Sequence, residues 1–400
     1  MADTPAPEIP GGRARSPKLV PVAALVVVLL VALLVFISRQ GSAPSASSKT
    51  VLPSSTVKPL LIEHGFDSST AADVAKNAAR IDTLPFDGIA VNPKQSPCSV
   101  APVSDATAQA DMATMPKLTK VVHNFLLCRI EDPAPTGGLT PYDVNNDATW
   151  TALSSNLAVY AKAAQATGMF DGIIIDTEYY GKGPNPWDYD TIAIPLTYGP
   201  ARPWSLSPEA QAKSQSRGKQ ITKAMIDAWP NVVLLSFRGA YLSDKASYLS
   251  ANMGGNDVAW ANELAGPFFI GMVEGAAGTQ AVLVDGGESY YQRTVSDFQK
   301  SYSWRKVGIA DSKGPMVPSG AVTAAMYKST VTVASQLLDR DIGDTSTVFS
   351  AKEVQDQITN AGKGTDRYVW LFSELYDWRG TGFPAKPVPS DLISAVTATR

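Results

Sequence analysis

The sequence predicts an α/β protein, a (β/α)8 barrel of the TIM class set behind a single N-terminal transmembrane helix. Three observations predict it. From residue 58 onward, short apolar runs alternate with segments whose apolar residues recur at helical spacing, the order expected of parallel strands joined by right-handed crossovers. Several runs end in an acidic or polar cluster, as at DTEYY from Asp176, DGGESYY from Asp285 and SELYDW from Ser373. The chain has 400 residues, enough for one such barrel of roughly 250 residues or more and an appendage.

The appendage comes first. Residues 1–18 carry Pro, Gly and Arg without periodicity and read as a disordered cytoplasmic tail. Leu19 to Ile37 is an almost unbroken apolar run of nineteen residues, close to the roughly 20 that cross a bilayer as a helix, so residues 19–38 are expected to be a signal anchor embedded in lipid. Arg13, Arg15 and Lys18 precede it, whereas only Arg39 and the distant Lys49 follow. This asymmetry puts the N-terminus in the cytoplasm and the large domain outside the cell membrane. A cleaved signal peptide is the rival reading, opposed by the length of the run and the lack of a small-x-small cleavage site. Residues 39–57, rich in Ser, Ala, Pro and Thr, form a disordered linker, and residues 58–400 form the barrel domain.

Within that domain the first strand covers Pro59 to Glu63 and delivers His64 to its C-terminal end. Ser68 to Thr70 cap a helix over Ala71 to Ile81. Phe86 to Val91 is the second strand, and its FDGI recurs 84 residues later at Phe170, read as an Asp-Gly turn entering a buried strand. Residues 92–118 are an insertion of little periodicity. Val121 to Ile130 is the third strand, ending at Arg129, and Asp147 caps a long helix through Ala166. The fourth strand starts at Phe170. A long loop from Gly181 to Ser207 follows, and its Trp187 is a candidate for stacking on substrate, since long loops in compact domains are usually functional. Pro208 to Trp229 is a helix, Val232 to Phe237 the fifth strand with Arg238 at its mouth, and Ala281 to Val284 the sixth. Ser329 to Ser335 is a weak seventh, Ala351 to Asn360 a helix, and Arg367 to Phe372 the eighth strand, followed by Glu374 and Trp378.

Net charge is −3 with no block of one sign, which points away from nucleic acid. Cys98 and Cys128 are the only cysteines; they either pair in an oxidising compartment or leave Cys128 a buried thiol. The two histidines, His64 and His123, are far apart in the chain with no neighbouring ligand set, so no metal is expected. Neither a phosphate-binding Gly loop nor a serine nucleophile elbow occurs, so no cofactor is expected either.

The fourth strand, FDGIIIDTEYY, carries the chemistry. Residues two apart in a strand share a face, so Asp176 and Glu178 enter one space at the strand's C-terminal end, where barrel enzymes keep their active sites. This stretch resembles the signature of the chitinase-type glycoside hydrolases, family 18, through Asp171, Gly172, Asp176, Glu178 and Tyr179. Ile174 replaces the middle acid of that pattern and Thr177 its usual Trp. The resemblance implies a barrel glycosidase in which Glu178 donates a proton and Asp176 steadies a substrate acetamido group.

Where no such assistance operates, a second carboxylate is required, and Glu288 and Glu374 are the candidates, with Asp285 behind them. Tyr179, Tyr180, His64, Arg129, Arg238, Trp187 and Trp378 are expected to contact substrate. A salt bridge or loop cap at the rim is the structural alternative for each acid. The expected function is a membrane-anchored, extracytoplasmic glycoside hydrolase acting on a polysaccharide or cell-envelope glycan. Its alternatives are an inactive glycan-binding barrel and a structural envelope protein.

Overall fold

The structure is a computed structural model that describes residues 53, 58–130, 144–178, 187, 208–240, 264–288, 292–308, 322–340, 348–384 and 386–400. The tail, the apolar run and nearly all of the linker lie outside these. Among the described residues no helix is long and apolar enough to cross a membrane.

Strands β1 (Leu60–Gly65), β2 (Gly88–Asn92), β3 (Asn124–Arg129), β4 (Phe170–Asp176), β5 (Val233–Ser236), β6 (Val282–Asp285), β7 (Val331–Val333), β8 (Ser335–Leu338) and β9 (Tyr368–Ser373) form one parallel sheet. The order is β7-β6-β5-β4-β3-β2-β1-β9-β8. Only Ala334 separates β7 from β8, and they bond to opposite ends of the series, β7 to β6 and β8 to β9. They are two halves of one strand position, so the sheet closes on itself as an eight-position parallel barrel. The expected weak seventh strand is this broken one. The Ala334 N–H bonds the Asp285 carbonyl at 2.8 Å, which keeps the ladder continuous through the break.

Helices α1 (Ala71–Lys76), α2 (Ala78–Ile81), α3 (Asp105–Met112), α4 (Asp147–Thr167), α5 (Pro208–Ala228), α6 (Ala265–Ala276), α7 (Val295–Ser303), α8 (Ala324–Thr330), α9 (Ala351–Ala361) and α10 (Ser390–Thr397) lie among the strands in sequence. Their starts follow capping chemistry: Thr70, Ser104, Thr323 and the boxes Thr294/Asp297 and Ser350/Glu353 satisfy the first free N–H groups. Asn146, rather than Asp147, caps α4. Asn77 divides the single helix expected over 71–81, and α3 lies within the segment expected to be irregular. Cys98 in that segment is disulfide-bonded to Cys128 of β3, their Cα atoms 5.4 Å apart.

Alternation sorts the core into two layers. Ile62, Ala90, Phe125, Leu127, Ile174, Leu235, Val284 and Trp370 fill the barrel interior. Ile89, Val91, Leu126, Ile173, Ile175 and Leu283 face the helices. The repeated Asp-Gly proves to be a packing device and not a turn. A Cβ on Gly88 would lie 1.8 Å from the His123 carbonyl oxygen, and one on Gly172 would lie 1.7 Å from that of Val233. Each glycine therefore lets two strands approach.

The outer side of β1 is closed by a buried charged cluster. Arg379 donates to Glu63 at 2.6 Å and to the Ala90 carbonyl at 2.6 Å, while Asp67 accepts from the Trp378 and Arg379 N–H groups. The family-like Asp171 sits at the opposite, N-terminal end of β4, where its carboxylate accepts from His123 at 2.9 Å. That bond raises the imidazole pKa above its ordinary value. A group whose pKa rises on folding adds stability below its unfolded value and loses it as pH climbs through the folded one. The stability deficit of His123→Gln in urea unfolding should therefore be largest near pH 6 and shrink by pH 9.

Candidate active site

Above Ile174 the next inward position of β4 is Asp176, only 3% exposed. Backbone bonds hold the strand end on both sides, from the Ile130 N–H to the Asp176 carbonyl and from the Phe237 N–H to that of Ile175. The Asp176 carboxylate accepts from the Glu178 N–H at 2.9 Å, which turns the chain and fixes where Glu178 starts. β6 is prolonged in the same way: the Gly286 and Glu288 N–H groups bond the Ser236 and Phe237 carbonyls. Glu288 thereby reaches the space that Glu178 occupies.

Arg238, just past β5, joins the two acids. Its Nη2 bonds Glu178, and its Nε bonds Glu288 at 2.8 Å. Arg129 lies 3.6 Å from Asp176. Three carboxylates and two guanidinium groups thus share the C-terminal end of the barrel. Burial, followed by the charge of Glu288, pushes the Asp176 carboxyl up to about 7. The same two causes push Glu178 up to about 8, although Arg238 opposes them. Beneath the acids Phe237 stacks on Trp370 with centroids 4.3 Å apart, and His64 lies against both rings and against Phe372. Burial holds His64 well below the ordinary imidazole pKa, so it is neutral, and its Nδ1 is 3.3 Å from the Ser68 hydroxyl.

Of the expected site residues, Asp176, Glu178, Glu288, Arg129, Arg238 and His64 come together here. Others stand elsewhere. Asp285 points out of the barrel and pairs with Arg305 at 3.2 Å, because Val284 takes the inward position beside it. Glu374 pairs with Arg340 and not with Arg238. Trp187 is fully buried against Trp150 and Phe268, and Trp378 against Phe86, so both anchor chain segments and neither faces a ligand. Tyr179 and Tyr180 lie outside the described residues.

Two aromatics missed by sequence reasoning are exposed instead. Phe66, just beyond β1, is 50% exposed and Phe383 is 61% exposed. Their centroids are 6.2 Å apart, and Phe66 rests edge-on against Phe372, which links this pair to His64 and the floor of the site. The signal available was the position of Phe66 directly after the first strand.

No protein-family model matches the chain, and no curated protein does. Solved structures similar to it include the β-mannanase of the blue mussel Mytilus edulis, at 8% identity and TM-score 0.43, covering 85% of this chain and 91% of that one. An endocellulase from Pyrococcus horikoshii is similar at 12% identity and TM-score 0.41, covering 86% and 92%. The D-psicose 3-epimerase of Clostridium cellulolyticum H10 is similar at 9% identity and TM-score 0.37, covering 85% and 96%. Neighbours this distant, an epimerase among them, do not bear on the chemistry.

The raised carboxyls couple stability to pH. From their ordinary values of 3.8 and 4.5 up to about 7 and 8, the folded chain keeps protons on Asp176 and Glu178 that the unfolded chain has lost. Stability from these groups therefore falls as pH rises through that window. In urea titrations from pH 5 to 8.5, Asp176→Asn and Glu178→Gln should gain stability relative to the parent chain as pH rises, the Gln variant up to the higher limit.

Proposed function

We propose that the chain is a glycoside hydrolase of a polysaccharide or cell-envelope glycan, with Glu178 as general acid. The observation that carries this reading is the Asp176–Glu178–Glu288 cluster at the C-terminal end of the barrel, with Glu178 protonated at neutral pH beside a second carboxylate. Glycosidic cleavage needs such a pair, one acid to protonate the leaving oxygen and one carboxylate to meet the developing sugar cation. Glu288 takes the second role, since Arg238 binds it and Glu178 at neighbouring nitrogens of one guanidinium. Two carboxylates so joined fit the spacing of about 5 Å typical of retaining enzymes better than the roughly 6.5–9.5 Å that admits an attacking water. Asp176 positions the Glu178 backbone, and the exposed rings of Phe66 and Phe383 suit the flat faces of a sugar.

The domain stands outside the cell membrane on the helix over residues 19–38, with its N-terminus in the cytoplasm. The apolar run and the charge asymmetry across it support this.

A second reading, a glycan-binding barrel without catalysis, draws on the way Arg238 occupies both Glu178 and Glu288. Glu178→Gln separates the two. In an enzyme, release of reducing ends should fall by about 10² or more while glycan binding survives; a chain with no turnover to lose is the binding protein. For the enzyme, activity should decline as pH rises through about 8, where Glu178 gives up its proton. Proton NMR of the first product should show the anomeric configuration retained, and inversion would remove Glu288 from the nucleophile's role.

A further inference from the structure

Gln336, in the middle of β8, is 2% exposed, yet neither its Oε1 nor its Nε2 has a hydrogen-bond partner. Its neighbours fix where it faces. Ala334, two residues earlier, belongs to the barrel interior, and so does Trp370, with which Gln336 is in register on β9. On the other side, Asp285 is in register with Val333. Three residues on from that pair along each chain stand Glu288 and Gln336. The amide therefore enters the barrel interior beside Trp370, whose ring stacks on Phe237 next to Arg238, and among the described residues it bonds none of the acids.

A buried amide whose hydrogen bonds are left unmade destabilises the fold at each orphaned donor or acceptor. An apolar side chain of similar shape would avoid that cost at no loss to the fold. Carboxylates nearby bind arginines; this amide binds neither, and it offers one acceptor and a pair of donors fixed side by side. That set matches adjacent hydroxyls on a ring, one donating to Oε1 and the other accepting from Nε2. Charged groups of either sign would use only half of it.

We propose that Gln336 is a substrate-binding, specificity-determining residue that hydrogen-bonds two neighbouring hydroxyls of the sugar ring held at the Glu178–Glu288 pair. The identity of the ring rests on the glycoside hydrolase reading; the open amide does not. Specificity follows because a sugar lacking either hydroxyl leaves the amide unpaired on binding, and sites of this kind discriminate strongly.

The experiment is Gln336→Met in the full chain, with Gln336→Leu as a second apolar replacement. Two readouts are taken: the unliganded thermal midpoint, and calorimetric binding of cello-, manno-, xylo- and chitotetraose. The expected result is a midpoint equal to or above that of the parent chain, together with binding of the preferred tetrasaccharide weakened about 10- to 100-fold. A lower midpoint in both variants with unchanged binding would overturn the assignment and make the amide a structural group. Failure of the parent chain to bind any of the four sugars would overturn it too. Binding without turnover by the parent chain removes the enzyme reading alone, and Gln336 is then judged by its own loss of binding.

Discussion

The site is governed by the cost of holding like charges close together in a buried place. Among the described residues three carboxylates, Asp176, Glu178 and Glu288, face two guanidinium groups, Arg129 and Arg238. Buried against the apolar side chains of Ile174, Leu235, Phe237 and Trp370, like charges on these acids are expensive. Retaining a proton in the cluster lowers that cost. Where it sits is a matter of environment: Glu178, which feels both other acids, holds it most firmly.

Isoleucine at the inward position 174 has a physical consequence. A carboxylate at that inward position would add a further charge to the interior; isoleucine instead completes the apolar layer with Leu127 and Leu235. Desolvation from below and like charge from the side then act on Asp176 in the same direction. The work of raising an acid's pKa is divided between packing and charge.

How much of this was legible in the sequence depended on periodicity. β4 and its acid pair were, since three isoleucines bounded by Gly172 and a polar cluster suit a strand buried on both faces, and α4 and α5 were, through length and spacing. Parity was not. The run AVLV before DGGE is apolar at every position, so nothing in it tells which residues face inward; Asp285 turned outward and Glu288 inward only once the register with β5 was fixed. Short helices were also hidden: α3 is rich in Ala and Asp and has no marked apolar stripe, and α8 leads straight into β7. Trp187 and Trp378 lie in segments that looked like loops, yet contacts remote in sequence bury both. Gln336 follows the expected end of the weak seventh strand, and its isolation is a property of three neighbouring strands together.

The clasp around Arg379 bears on how the molecule is made. Glu63 and Asp67 belong to the first strand and the turn after it, whereas the guanidinium that neutralises them lies in the last part of the chain, just after β9. During synthesis β1 therefore emerges with one edge open and two acids without their cation, and it stays so until Arg379, 316 residues after Glu63, has left the ribosome. The ring is sealed only when the strand Tyr368–Ser373 arrives to pair with β1.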